Sequence, residues 1–371
     1  MKPSPHRHTP ATIDLSAIRY NLITVRDHLA AHGKFPEFWP AVKANAYGHG
    51  VVKVAKAIED LVGGYCVSNL DEAIELREAG IGKEILILSG IVPDNVDYAL
   101  KLNITLTAPS LEWLKLIVST GRDIAGLKLH LKFDSGMGRL GARTVEETNA
   151  MIALMDECGM EFNGIFTHFA TADEVSQEIF DRQVSRFNNV LSKIIRRPKY
   201  VHSTNSAAAL WHDNQVQDIE RLGAGLYGFD PSNGSLKLPY ELKPAFSLKS
   251  EIYHCKEVEA GETIGYGATF VADGPTFIGT VPIGYADGWT RDMQGFSVLV
   301  DGKFCEIVGR VAMDQMMIKL DKIYRIGTPV TLIGQDGDNV ITVDNIAKWR
   351  QTINYEILCL LSDRIYRKYL D

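Results

Sequence analysis

The chain lacks an apolar run long enough to cross a bilayer, and its opening residues, Met1 to His8, are polar with no hydrophobic stretch behind them. Signal peptide, membrane anchor and membrane partner are therefore not expected, and a cytoplasmic location is. Basic residues are outnumbered, 39 Lys and Arg against 46 Asp and Glu, which argues against a nucleic-acid partner. Cysteines are few. Cys66, Cys158, Cys255, Cys305 and Cys359 are odd in number, scattered and without metal-ligand spacing, so reduced thiols are expected and no disulfide or metal site. No GxGxxG follows an early strand pattern, which removes the main support for an open dinucleotide-binding sheet.

What is present is a regular alternation. Eight segments read as strands: Phe38–Ala44, Tyr65–Ser68, Glu84–Ser89, Ile104–Thr107, Leu127–Phe133, Gly164–His168, Tyr200–Thr204 and Ile219–Leu222. Ser16 can cap a helix running to about Ala31. Helical spacing of apolar residues marks Val51–Asp60, Leu70–Ala79, Asp94–Leu102, Leu111–Thr120, Val145–Glu157 and Asp173–Ile195. Repeated βα units imply parallel strands, and eight imply an α/β fold closed into a (β/α)8 barrel over residues 11–240. The segments from Phe246 to Leu332 alternate at period two and are broken by glycine turns, followed by short helical patterns at Val343–Trp349 and Tyr355–Leu361. Residues 241–371 are thus expected to form a mostly antiparallel β domain, reached through a linker at Pro231–Pro244 and with residues 1–10 joining it.

Polar residues recur where strands end, the rim at which such barrels collect function. Lys43 closes the first strand, between apolar residues and the glycines of Tyr47-Gly48-His49-Gly50. A partly desolvated amine there has a lowered pKa and can form a Schiff base, as a pyridoxal-phosphate lysine does. Arg139 follows the fifth strand in a glycine-rich loop, His168 ends the sixth, Asn205-Ser206 the seventh, and Arg221 to Gly225 the eighth. The last two loops are where barrels most often hold a phosphate. Each residue alone has an ordinary account as core, turn or surface ion pair. Five at one rim point to a phosphate-bearing ligand facing a reactive amine.

The runs Ala41–Gly50, Asp134–Gly141, His168–Asp173, Asn205–Ala208, Arg221–Tyr227, Gly265–Thr269, Pro282–Gly288 and Gly309–Gln315 resemble, in order and over nearly the whole chain, the motifs of the alanine racemases. The resemblance implies a pyridoxal 5'-phosphate enzyme that interconverts L- and D-alanine through an aldimine, supplying D-alanine for peptidoglycan. It implies that Lys43 carries the cofactor and is one base, with Tyr266 the other. Tyr47, Ser206, Gly223, Ala224 and Tyr355 would hold the cofactor's phosphate, Asn205 would also belong to the cofactor site, His168 would lie against the ring, and Arg221 would donate to its ring nitrogen. Arg139 and the Met313 backbone would receive the substrate carboxylate, with Tyr285 and Tyr355 at the entrance. His202 would link Arg221 to Tyr266, Lys132 would carry a carbamate that fixes Arg139, and Asp314 would support the site. A homodimer is implied, Tyr266 and Met313 serving the partner's barrel.

These residue types suit the chemistry. Racemisation removes a proton from one face and returns it to the other, which asks for two bases on opposite sides. Tyrosine ordinarily ionises near pH 10, so Tyr266 needs cationic neighbours to serve as one. An arginine at the ring nitrogen stays protonated and leaves the ring a modest electron sink, favouring return of the proton. Racemisation of larger amino acids or decarboxylation on the same architecture, and a cofactor-binding barrel without turnover, are the competing readings.

Overall fold

The structure, a computed structural model, describes residues 3–371 and divides into two compact units. One comprises Ala17–Ala46 and Gly50–Lys243. It opens with a helix over Leu15–Ala31, whose Ser16 hydroxyl donates to the Asp14 carboxylate at 2.6 Å and does not cap the helix as expected. Six parallel strands follow in consecutive order: β3 (Gly64–Val67), β4 (Glu84–Ile87), β5 (Thr105–Ala108), β6 (Lys128–Lys132), β7 (Glu161–Phe166) and β8 (Tyr200–His202). A short parallel pair, β2 (Glu37–Phe38) with β9 (Ile219–Glu220), is tied to either end of this sheet by single parallel bridges, Ala41 to Cys66 and Asn205 to Arg221.

The helices between strands start where the sequence supplies a cap. Asn69, Ser110, Thr144 and Asn205 each accept the backbone N–H three residues on, each such cap contributing about 1 kcal/mol. Their apolar stripes (Val51, Val54, Ala55 and Ile58 on one; Met151, Ile152 and Met155 on another) cover the outer face of the sheet. Two elements differ from expectation. The helix expected from Asp173 begins at Glu178, because 173–177 form a polar loop with no apolar stripe to bury. The first strand does not run to Ala44: beyond Phe38 it continues as irregular pairing, Trp39 N–H to Glu220 O, Ala41 N–H to Leu222 O and the Ala41 bridge to Cys66, and Lys43 opens a turn of opposite hand.

The second unit comprises the N-terminal segment through Ser16, Tyr47–His49 and Pro244–Asp371. Its strands are β1 (Ala11–Asp14), β10 (Phe246–Glu251), β11 (His254–Val258), β12 (Thr263–Ile264), β13 (Phe270–Val271), β14 (Thr276–Val281), β15 (Ser297–Val300), β16 (Lys303–Val308), β17 (Met316–Leu320), β18 (Pro329–Asp336), β19 (Asn339–Ile341) and β20 (Arg367–Leu370). The main sheet runs β11-β14-β17-β16-β15-β18-β10-β1-β20, with β19 on β18. Its pairings are antiparallel except β1 with β20, as fits strands that alternate buried and exposed residues. Asp287, fully buried, is the polar hub of this unit. Its carboxylate accepts from both Arg7 terminal nitrogens (3.1 and 2.5 Å) and the Gly284 N–H (3.0 Å), and lies 3.4 Å from Arg364 Nε.

Removing one partner of such a buried charge group strands the others. Asp287→Ala is expected to destabilise the protein by about 3 kcal/mol in urea unfolding; a loss below about 1 kcal/mol, the surface-pair range, would contradict the hub role.

Candidate active site

Lys43 stands at the start of a left-handed turn. Ala44, Asn45, Ala46 and Tyr47 all have φ between 52° and 54°, a conformation that costs L-residues roughly 1–2 kcal/mol each. Strain of several kcal/mol persists only where surroundings impose it. Here Ala46 N–H donates to Val42 O, Gly50 N–H to Asn45 O and Val51 N–H to Asn45 Oδ1, all within 2.9 Å. The Glu72 carboxylate accepts Ala44 N–H (2.8 Å) on one oxygen and Ser68 N–H (2.7 Å) on the other, stitching the turn to the end of β3. Sequence reading missed Glu72, which lies on a helix 28 residues away.

Lys43 lines a cleft of about 260 Å³ with Ser68, Ser89, Lys132, Arg139, Phe166, His168 and Arg221. Lys43, Arg139 and Arg221 with no carboxylate among the lining residues make this a site for an anion. Arg221 is nearly fully buried and is held from every side. It donates to His202 Nδ1 (2.5 Å), Thr167 O (2.9 Å) and Ser203 O (3.1 Å), and lies 3.5 Å from His168 Nδ1. Since guanidinium only donates, His202 must accept at Nδ1 and carry its proton on Nε2. That proton goes to His130 Nδ1 (2.9 Å), so His130 donates from Nε2 to Asn163 Oδ1 (3.0 Å), and Asn163 Nδ2 donates to Glu161 Oε1 (2.5 Å). With both ring nitrogens engaged, His202 links Arg221 to His130 within this chain.

Burial first, and the Arg221 charge after it, hold His202 far below the ordinary histidine range. Burial pushes His130 down to about 4. His168 is likewise lowered, by burial and then by Arg221, Lys132, Arg139 and Lys43. The Lys132 amine is buried, has no hydrogen-bond partner, and is driven well below its normal value by burial and by Arg221 and Arg139. It sits 4.5 Å over the Phe166 ring, whose other neighbour, His202, stacks at 4.8 Å and 2°. Lys128, His130 and Lys132 alternate along β6, so all three face inward; that period was the available signal for His130. Gly164 opposes His130 in register, and a Cβ there would fall 2.7 Å from its ring.

Ser206 Oγ accepts Gly223 N–H (2.8 Å) and Gly225 N–H (3.1 Å), and Ala224 opens the short turn that follows. These backbone donors already converge on an oxygen. Asn205, expected near the cofactor, spends its side chain capping the Ser206–Trp211 helix. Gln183 is a second residue missed: buried on the Glu178–Leu191 helix, it binds Ser135 Oγ, His168 O and Ala170 N–H, fixing two rim loops together.

In the other unit, Tyr266 is 72% exposed and flanked by Gly265 (φ 75°) and Gly267 (φ 73°). A Cβ on Gly267 would meet Arg310 Nη1 at 2.8 Å, so a guanidinium lies directly against this loop. Met313 and Tyr285 are 53% and 42% exposed, and Ala286 N–H donates to Met313 O. Asp314 accepts from Arg364 at 2.6 Å. The rings of Tyr47 and Tyr355 lie 5.9 Å apart.

A histidine with its folded pKa depressed takes up a proton more readily once unfolded, so stability must rise with pH between about 4 and 6.5. For His130 the gain is on the order of 3 kcal/mol. Urea unfolding across this range should show a steeper slope in the parent than in His130→Gln; equal slopes would place the titration elsewhere.

The models of the alanine racemase N-terminal and C-terminal domains match residues 13–231 and 245–369. The alanine racemase of Lactococcus lactis subsp. cremoris is 62% identical over 369 residues, covering both chains fully. The crystal structure of alanine racemase from E. faecalis superposes with a TM-score of 0.96 at 44% identity, again over both whole chains. That of Bacillus anthracis with bound L-Ala-P gives 0.94 at 40% identity, over 98% of this chain and 95% of the other. Both halves are matched in order and at full length, and the chain belongs to the alanine racemase family.

Proposed function

We propose that this chain interconverts L- and D-alanine by two-base proton transfer, with pyridoxal 5'-phosphate on Lys43. The observation that carries the reading is the acid-free cleft in which Lys43, Lys132, Arg139 and Arg221 converge. The six-stranded sheet and the β2–β9 pair, bridged at Ala41 and Arg221, act as one closed eight-stranded barrel around it.

Several features support a fit to the cofactor. The Gly223 and Gly225 N–H groups converge on Ser206 Oγ, the arrangement that receives phosphate oxygens. Ser206, Gly223, Ala224, Tyr47 and Tyr355 would hold that phosphate. Bound pyridoxal phosphate draws electron density from the substrate α-carbon and makes its hydrogen acidic. Lys43 Nζ exchanges the proton on one face, and Tyr266 Oη of the partner subunit on the other; the exposure of Tyr266 and Met313 supports a role toward a second protomer. Arg221, locked as a donor, would withhold a proton from the cofactor's ring nitrogen and so keep the outcome to reprotonation. Arg139 and the Met313 backbone orient the carboxylate, and Tyr285 and Tyr355 narrow the entrance to a methyl-sized side chain. Lys132, with a neutral amine and no partner, is poised to add carbon dioxide, lose one proton and present the carbamate oxygens to Arg139.

No helix among the described residues is long and apolar enough to cross a membrane, and the five cysteines form no disulfide. We place the enzyme in the cytoplasm, supplying D-alanine for peptidoglycan, as its family resemblance implies.

Holoenzyme incubated with L-alanine in deuterated water should lose optical rotation while the α-position gains deuterium; retention of configuration with cofactor bound would leave only a binding protein. Lys43→Ala should abolish borohydride trapping of the cofactor. Tyr266→Phe should slow proton removal from one enantiomer by roughly 100-fold or more, and from the other far less. Equal losses for the two would argue against two bases. Mixed Lys43→Ala and Tyr266→Phe proteins should regain activity if the site is shared.

A further inference from the structure

Away from the cation-lined cleft, the Leu15–Ala31 helix ends with His28 in its last turn and His32 one turn on, an i, i+4 pair on one helix face. Asp213, in the short turn after the Ser206–Trp211 helix, meets them. Its Oδ2 lies 3.2 Å from His32 Nδ1 and 4.0 Å from His28 Nε2, and one ligand atom from each residue lies within 4.8 Å of the others.

We propose that His28, His32 and Asp213 form a Zn2+ site that staples the end of the first helix to the segment leading into β9. Two imidazoles and one carboxylate match the nitrogen and oxygen donors that zinc takes, whereas calcium and magnesium ask for oxygen alone. Zn–N and Zn–O bonds of about 2.0–2.2 Å require ligand atoms roughly 3.5 Å apart, so small side-chain rotations suffice. Water completes the tetrahedron. A plain ion pair explains the geometry less well, since it needs one histidine. Here two rings 4.5 Å apart turn to the same oxygen, and protonating both would set like charges against each other. His32 Nδ1 also lies 3.0 Å from the His28 carbonyl, so metal capture there takes the tautomer that carries its proton on Nε2 and gives up that contact. The wall of the cluster is Tyr240, whose ring packs 4.8 Å from His28 and whose buried hydroxyl has no hydrogen-bond partner.

The residues precede β2 and β9, placing the site at the N-terminal ends of these strands, whereas Lys43 follows β2. That is the rim that serves stability, so the metal joins the first and last helical segments of the barrel without taking part in proton transfer.

Isothermal titration of the holoenzyme with Zn2+ should show one ion per chain. His32→Ala and Asp213→Asn, both at the surface, should weaken binding by roughly tenfold or more while circular dichroism and racemisation rate stay unchanged. The double variant His6→Ala/His8→Ala controls for the histidine-bearing N-terminus and should bind as the parent does. Zn2+ should raise the melting temperature of the parent by about 5 °C at a hundredfold excess over Kd, and not that of His32→Ala. No binding to the parent, or binding that survives both site variants, would overturn the proposal and leave an ion pair only.

Discussion

The buried guanidinium of Arg221 is the constraint around which the barrel interior is arranged. A cation out of water needs acceptors, yet an ionised carboxylate beside it would cancel the field that attracts an anion. The chain solves this with neutral acceptors: two carbonyls and a histidine, backed by a second histidine and an amide, reaching a carboxylate only at Glu161 on the exposed end of β7. Glu220, next to Arg221 in sequence, has its carboxyl raised to about 8 by burial and so stays largely uncharged near neutral pH. Burial first, and the positive field of Arg221 after it, drive Lys132 and His168 well below their ordinary ranges. Burial and one charge together thereby bias the protonation of the groups around the cleft.

Against this fixed wall the Lys43 turn is the strained part. Left-handed backbone at Ala44, Ala46 and Tyr47 gains nothing from its own residue types, and its stability is borrowed from Asn45, Glu72 and the strand it leaves. Cys66, in the neighbouring strand and near both Lys43 and Arg221, has its thiol pushed up to about 12 by burial, so it does not compete as a nucleophile.

Much of this could be read in the sequence. Lys43, His168 and Arg221 were read at strand ends and Arg139 in the loop that follows one, and strand ends of a parallel barrel share one rim, so their convergence follows from period and position. The partners that give them their chemistry are less legible. Glu72, His130, Asn163 and Gln183 look like ordinary strand and helix residues, and only tertiary pairing across dozens of residues shows their work. The left-handed turn was unreadable for another reason: alanine and tyrosine carry no preference for it, and glycine follows only at Gly48. Cysteine spacing argued against metal, but it says nothing about a histidine pair whose third member lies 181 residues beyond His32.

The interleaving of the sheet in the second unit has an order of assembly built into it. Strand β1 lies between β10 and β20. Residues Ala17–Ala46 and Gly50–Lys243 separate β1 from both partners and can gather their own core before either is made. Once β10 has paired, β1 still carries one open edge until β20 arrives to cover it.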